Sequence, residues 1–251
     1  PMTDPFQSWF VQRPIAHRGR HNGGTIPENS LAACDAAIAA NYAIEIDVHL
    51  LADGTVAVFH DTDLARMTGI TGTIQAQTAA DLNALQLVGN GEPIPRLTDV
   101  LTLVRGRVPL LIELKSPEPA VTTPLAAAVA QQLSTYTGDV AVQSFNPKAL
   151  GWFKAHVPAL PRGQLACRFT NAALPPLRKY RLSHLGMNGL SQPHFIGYAL
   201  RDLPNLPTAI ARHLQHKPLL AWTVRTEAEY AKAQRVADNI IFEHITPRSP
   251  R

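Results

Sequence analysis

The chain has 251 residues, 45% of them hydrophobic and 17% charged, with a formal net charge of +4. No apolar run approaches the roughly 20 residues of a membrane helix and no basic-then-apolar segment opens the chain, so the expectation is a cytoplasmic protein without stable membrane insertion. The positive charges are scattered and come with no nucleic-acid motif, which argues against nucleic acid and leaves a small phosphate-bearing ligand as the partner that the charge suits.

Taken in chain order, short aliphatic or β-branched runs alternate with helical stretches. The predicted strands are Pro14 to His17, Ala43 to Val48, Leu110 to Leu114, Val140 to Ser144, Gly163 to Cys167, His184 to Asn188, Leu219 to Thr223 and Asn239 to Phe242. The predicted helices are Asn29 to Ala39, Thr98 to Val104, Pro119 to Ser134, Pro147 to His156, Ala172 to Arg181, Leu206 to Gln215 and Glu227 to Ala237. Eight strands in a chain of this length predict an α/β protein, a closed (β/α)8 TIM barrel forming one domain over 1–251. The segment Asp61 to Pro95 departs from the alternation, with several glycines and prolines and one helical candidate, Ala79 to Leu85, and reads as a small insertion after the second strand. Cys34 and Cys167 stand apart among apolar neighbours and read as small buried hydrophobes with no disulfide. Oligomeric state has no signature in the sequence.

Buried parallel strands should be nearly continuous apolar runs, so acids inside them need a reason. In Ala43-Ile44-Glu45-Ile46-Asp47-Val48 the period of two puts Glu45 and Asp47 on one face, and Glu113 ends the next barrel strand. Buried carboxylates that close repel unless a cation lies between them. An all-oxygen set without cysteine favours a hard ion, Mg²⁺ or Ca²⁺, with Mn²⁺ also compatible. The plainer alternative is that the three acids form structural ion pairs with Arg18 and Lys115.

Asp53-Gly54 reads as a two-residue hairpin turn that pairs His49 with Val58 and Asp47 with His60, which would stand His60 beside the carboxylates. The first strand delivers His17 to the same end. Two imidazoles can serve as general base and general acid on a phosphodiester, while Arg18 and Lys115 are natural phosphate partners. His49, His156, His184, His194, His213, His216 and His244 read as ordinary hydrogen-bonded residues.

The run His17-Arg18-Gly19, Pro27-Glu28-Asn29-Ser30, Glu45-Ile46-Asp47-Val48, Asp53-Gly54 and His60-Asp61 resembles the glycerophosphodiester phosphodiesterase family. The resemblance continues through Leu64 to Gly69, Ile94 to Leu97, Ile112 to Lys115, Gln143 to Asn146 and Ala221 to Val224, in order and across nearly the whole chain. It implies a barrel with an insertion, and hydrolysis of small glycerophosphodiesters to an alcohol and sn-glycerol 3-phosphate. It also implies one divalent cation on Glu45, Asp47 and Glu113, His17 and His60 as catalytic pair, Arg18 and Lys115 on the phosphate, and Phe145 and Trp222 lining the pocket. Arg225 stands where the family often has Asn, and Glu243-His244 where a Thr-Asp pair is common.

Two rivals follow. A lysophospholipase D or sphingomyelinase D type of enzyme would need an apolar groove, to which Leu82, Leu85, Leu87 and Val88 of the insertion could contribute. A non-catalytic barrel binding a phosphate ligand would dispense with some of the set, and none of its residues is missing.

Overall fold

The computed structural model describes residues 4–116 and 119–248. They fall into two compact units, one running from Ala16 to Val140 and the other formed by the N-terminal segment up to Ile15 together with the chain from Ala141 onward. Strand β1 (Ile15–Ala16) leads into the first unit, which holds β2 (Ala43–Leu50), β3 (Val56–Val58) and β4 (Leu110–Leu114). The second holds β5 (Val140–Ser144, whose first residue belongs to the other unit), β6 (Arg162–Ala166), β7 (Phe195–Ala199), β8 (Leu219–Val224) and β9 (Asn239–Phe242). In both units strand, helix and parallel strand follow one another, the repeat of an α/β barrel.

In the first unit β2 pairs with β4 in parallel, and the register sets Asp47 directly opposite Glu113. The helix Leu31–Ala39 starts where Ser30 accepts from the Ala33 amide at 3.0 Å, a side-chain N-cap. The hairpin of β2 and β3 differs from expectation. Val48 faces Val58 and His49 faces Ala57, one residue away from the expected pairing. The Leu51 amide donates to the Thr55 carbonyl and the Gly54 amide to the Leu51 carbonyl, so the loop has three residues, Ala52, Asp53 and Gly54. Gly54 takes a φ of 84°, which suits the left-handed position that closes such a loop. Asp53 holds the loop by accepting from the Thr55 and Ala79 amides.

The insertion carries a core of its own. Leu64, Ile74, Leu82, Leu85, Leu87 and Ile94 pack with Leu51, Ala57 and Phe59 from the hairpin, all of them buried. Its helices are short, Ala65–Thr68 and Ala79–Leu82, with a 3₁₀ turn Ile74–Ala76 between them.

In the second unit, the stretch from His184 to Asn188 is not a strand: the helix Pro176–Ser183 ends there and the helix Asn188–Ser191 begins. The strand is β7, Phe195-Ile196-Gly197-Tyr198-Ala199, richer in aromatic and β-branched residues. Phe195 lies opposite Gly163 of β6, where a Cβ would stand 2.0 Å from its ring, so the glycine makes room for the aromatic. Asn239 of β9 donates to the carbonyls of Phe10 and Arg13, which ties the N-terminal segment to this unit. Cys34 and Cys167 are both free and buried.

Candidate active site

Glu45 and Asp47, alternate residues of β2, are wholly buried, and Glu113 of β4 nearly so. One carboxylate oxygen from each lies within 4.8 Å of the other two. Lys115 Nζ stands 3.0 Å from Asp47 Oδ1 and 2.6 Å from Glu113 Oε1. Arg18 Nε is 3.3 Å from Asp47 Oδ2, and its Nη1 donates to Glu28 at 2.8 Å. Asn29 completes the shell of Asp47: its amide donates to Oδ2 at 2.9 Å, and its carbonyl oxygen accepts from the Asp47 amide at 3.2 Å.

The motif around His17 owes its form to the backbone. Arg18 and Gly19 both have positive φ, 55° and 76°. A Cβ on Gly19 would meet the Ala33 backbone at 2.7 Å, so both the angle and the space demand glycine there. This turn lets the Arg18 amide donate to Glu45 Oε2 and the Gly19 amide to the Glu45 carbonyl. His17, also buried, sits with Nε2 3.8 Å from Glu45 Oε2.

His60 does not pair with Asp47 in the ladder, because the register places Phe59 there: the Phe59 amide donates to the Asp47 carbonyl at 2.9 Å. Strand β3 has ended at Val58, and His60 lies beyond it on a chain leaving the sheet. His60 Nδ1 is 2.6 Å from Asp61 Oδ1, and Asp61 accepts from Arg66, which in turn donates to Glu28. A chain of alternating charge therefore runs from His60 through Asp61, Arg66, Glu28 and Arg18 to Asp47.

Burial sets the protonation of the cluster, followed by mutual repulsion. The Glu45 carboxyl is pushed well above its ordinary range by burial and then by Asp47 and Glu113, against the pull of Lys115. Glu113 is also raised, by burial and Asp47, against the pull of Lys115. Asp47 resists the same burial because Lys115, His60, Arg18 and His17 surround it, and its pKa is driven far down. Three acids face Arg18 and Lys115, so full ionisation leaves a negative excess. An all-oxygen, buried, charge-deficient set of this kind fits a hard divalent cation.

Phe145, just after β5, and Trp222 of β8 pack edge to face with ring centroids 5.4 Å apart, and Phe169 packs on Phe145 at 6.0 Å. Arg225 and Glu243, the two departures from the family pattern, pair with each other: Arg225 Nε donates to Glu243 Oε2 at 2.6 Å. Asn29, Glu28, Asp61 and Arg66 carry no role in the residue patterns alone, although all four fall in the motifs of the resemblance.

The glycerophosphoryl diester phosphodiesterase family model matches residues 17–245. The chain belongs to this family. A relative in Bacillus subtilis, YhdW, named provisionally as a glycerophosphodiester phosphodiesterase, is 34% identical over 92% of this chain and 93% of its own. Among solved structures, an Oleispira antarctica phosphodiesterase in complex with the product sn-glycerol-3-phosphate is 26% identical, with a TM-score of 0.73, over 91% of each chain. A Silicibacter pomeroyi protein, described with reserve as a glycerophosphoryl diester phosphodiesterase, is 25% identical with a TM-score of 0.75, covering 94% of this chain and 90% of that one. The chain is thus an α/β protein of the (β/α)8 barrel class and an enzyme of the glycerophosphodiester phosphodiesterase type.

Proposed function

We propose that this family member hydrolyses small glycerophosphodiesters to an alcohol and sn-glycerol 3-phosphate, with one divalent cation held by Glu45, Asp47 and Glu113. The observation that carries the reading is the convergence of three buried carboxylates within 4.8 Å of one another, with His17 Nε2 3.8 Å from Glu45 Oε2. The product bound by the Oleispira antarctica relative supports the same outcome. Mg²⁺, Ca²⁺ and Mn²⁺ all suit the oxygen donors, and the bound cation would draw charge from the phosphoryl oxygens.

The residues divide the remaining work. His60 directs Nδ1 at the Asp61 carboxylate, which only accepts, so Nδ1 carries the proton and Nε2 is left to exchange one with substrate. His17 and His60 form the acid and base pair: one takes the proton of the attacking hydroxyl, and the other protonates the leaving alkoxide. Lys115, which bridges Asp47 and Glu113, is the charge that a divalent ion would relieve, and with Arg18 it supplies donors to the phosphate. The family resemblance assigns Phe145 and Trp222, whose rings pack edge to face, to the pocket.

Lipid diesters fit less well. Leu82, Leu85 and Leu87 are consumed by the core of the insertion, leaving Val88, 59% exposed, of the four residues that could have built an apolar groove.

The test is release of glycerol 3-phosphate from glycerophosphocholine and glycerophosphoethanolamine in EDTA, then with Mg²⁺, Ca²⁺ or Mn²⁺ restored. Metal-restored release is expected, and His17→Ala or His60→Ala should each lower kcat by about 10²- to 10⁴-fold. Faster turnover of lysophosphatidylcholine would overturn the small-substrate reading, and release undiminished by EDTA would overturn the metal.

A further inference from the structure

His49 follows Asp47 by two residues on β2 and is buried, 2% exposed. Its Nε2 lies 3.0 Å from the main-chain carbonyl oxygen of His60, and its Nδ1 lies 3.0 Å from Nε2 of Gln75. A carbonyl oxygen can only accept, so the His49 proton sits on Nε2. The lone pair of Nδ1 then accepts from the Gln75 amide. Both ring nitrogens are used.

We infer that His49 and Gln75 are positioning residues for His60: Gln75 fixes the tautomer of His49, and His49 fixes the main chain at His60. The inference rests on the reading of His60 as an acid or base.

The need for such a tether is visible in the hairpin. Ladder pairing ends at Val58, and the Phe59 amide makes the last main-chain bond to β2, so His60 stands where strand pairing no longer sets the backbone. Asp61 aims the ring, while His49 holds the carbonyl of the same residue. The two contacts act on different ends of His60 and together define where its Nε2 points. Gln75 belongs to the 3₁₀ turn Ile74–Ala76 of the insertion, anchored by Ile74, which is fully buried in the insertion's core. The insertion thereby braces His60 through Gln75 and His49. A displacement of about 1 Å in a reacting group can cost on the order of 10² in rate, so a second point of attachment has kinetic value.

The test compares His49→Leu, His49→Gln and Gln75→Leu with the parent and with His60→Ala, on glycerophosphocholine in the metal that restores activity. Leu removes the donor, whereas Gln can place an amide N–H near the position of Nε2. His49→Leu should lower kcat about tenfold or more with KM within about twofold, and His49→Gln should recover most of the loss. Gln75→Leu should fall between them. Nitrogen-15 spectra of the parent's imidazoles should show the His49 proton on Nε2, a readout independent of turnover.

His49→Leu keeping kcat within about twofold of the parent, while His60→Ala is inactive, overturns the tether and leaves the acid–base role standing. An active His60→Ala overturns the role of His60 itself. Failure of His49→Gln to recover the loss, or a proton found on Nδ1 of His49, also counts against the tether. If His49→Leu does not fold, Gln75→Leu decides: an unchanged kcat overturns it.

Discussion

Asp47 is held on every side: Lys115 lies on one oxygen, Arg18 and Asn29 on the other, and the Asn29 side chain also on its amide. Its place beside Glu45 was legible because period-two alternation in a strand puts both on one face. Asn29 was not legible in that role, since it acts from a φ of 58° across a separation of 18 residues. Asp61 has a simpler environment that gives a pH prediction. Burial would raise its carboxyl, but bonds from Arg66 and His60 outweigh burial and hold its pKa down to about 2. A depressed carboxyl contributes stability that is complete above the unfolded value, near 4, and is lost as pH falls toward the folded one. Asp61→Asn should therefore cost roughly 1 kcal/mol at neutral pH, allowing for solvent screening at this partly exposed site. The gap to the parent should narrow in urea unfolding as pH drops from about 5 to about 3. A gap that stays constant across that range would show that the carboxylate charge contributes nothing.

At the scale of elements, periodicity located the strands that carry the carboxylates, and local chemistry misplaced two other features. The hairpin slipped by one residue because Asp-Gly is the commonest signal for a two-residue turn, while here Asp53 spends both its oxygens on amides of the loop and of the insertion, which favours a three-residue loop. The strand expected at His184 to Asn188 lies at Phe195–Ala199 because Leu185 and Met187 supply as much apolar character as a short strand, and only the cross-strand fit of Phe195 over Gly163 distinguishes the true one. The insertion reads as glycine- and proline-rich loop, yet its scattered leucines and isoleucines close a core. Ile74→Ala should lower the free energy of unfolding by about 2–5 kcal/mol, as buried large-to-small changes do. Val88→Ala, at an exposed position of the same insertion, should stay within about 0.5 kcal/mol. Equal effects of the two in denaturant titration would mean that the insertion has no cohesive core.

For the whole molecule, the order of motifs from His17 to Val224 carried the family, because each motif alone is short but all of them occur together and in order. What the sequence could not convey is the balance of charge once the acids are buried, and that balance predicts how metal and proton compete. Glu45 and Glu113 have folded pKa values above their ordinary ones, through burial and mutual repulsion. An acid raised in this way favours the folded protein at low pH, and its contribution is lost as pH rises from the unfolded value through the folded one. A divalent cation on the same oxygens must displace those protons, so its binding releases them and strengthens as pH rises. At about a hundredfold excess over Kd the cation should add about 2.7 kcal/mol, or roughly 5–10 °C in Tm for a chain of this size. The increment in Mg²⁺ or Mn²⁺ should be larger near pH 8 than near pH 5.5, by about 1.4 kcal/mol for each tenfold gain in affinity. Glu45→Gln should show a smaller increment with a weaker dependence on pH, because neither the charge nor the displaced proton remains at that position while Glu113 keeps its own. Thermal melts of parent and variant over this range, with and without metal, settle the point: an increment independent of pH in the parent, or undiminished in Glu45→Gln, would place the cation on other groups.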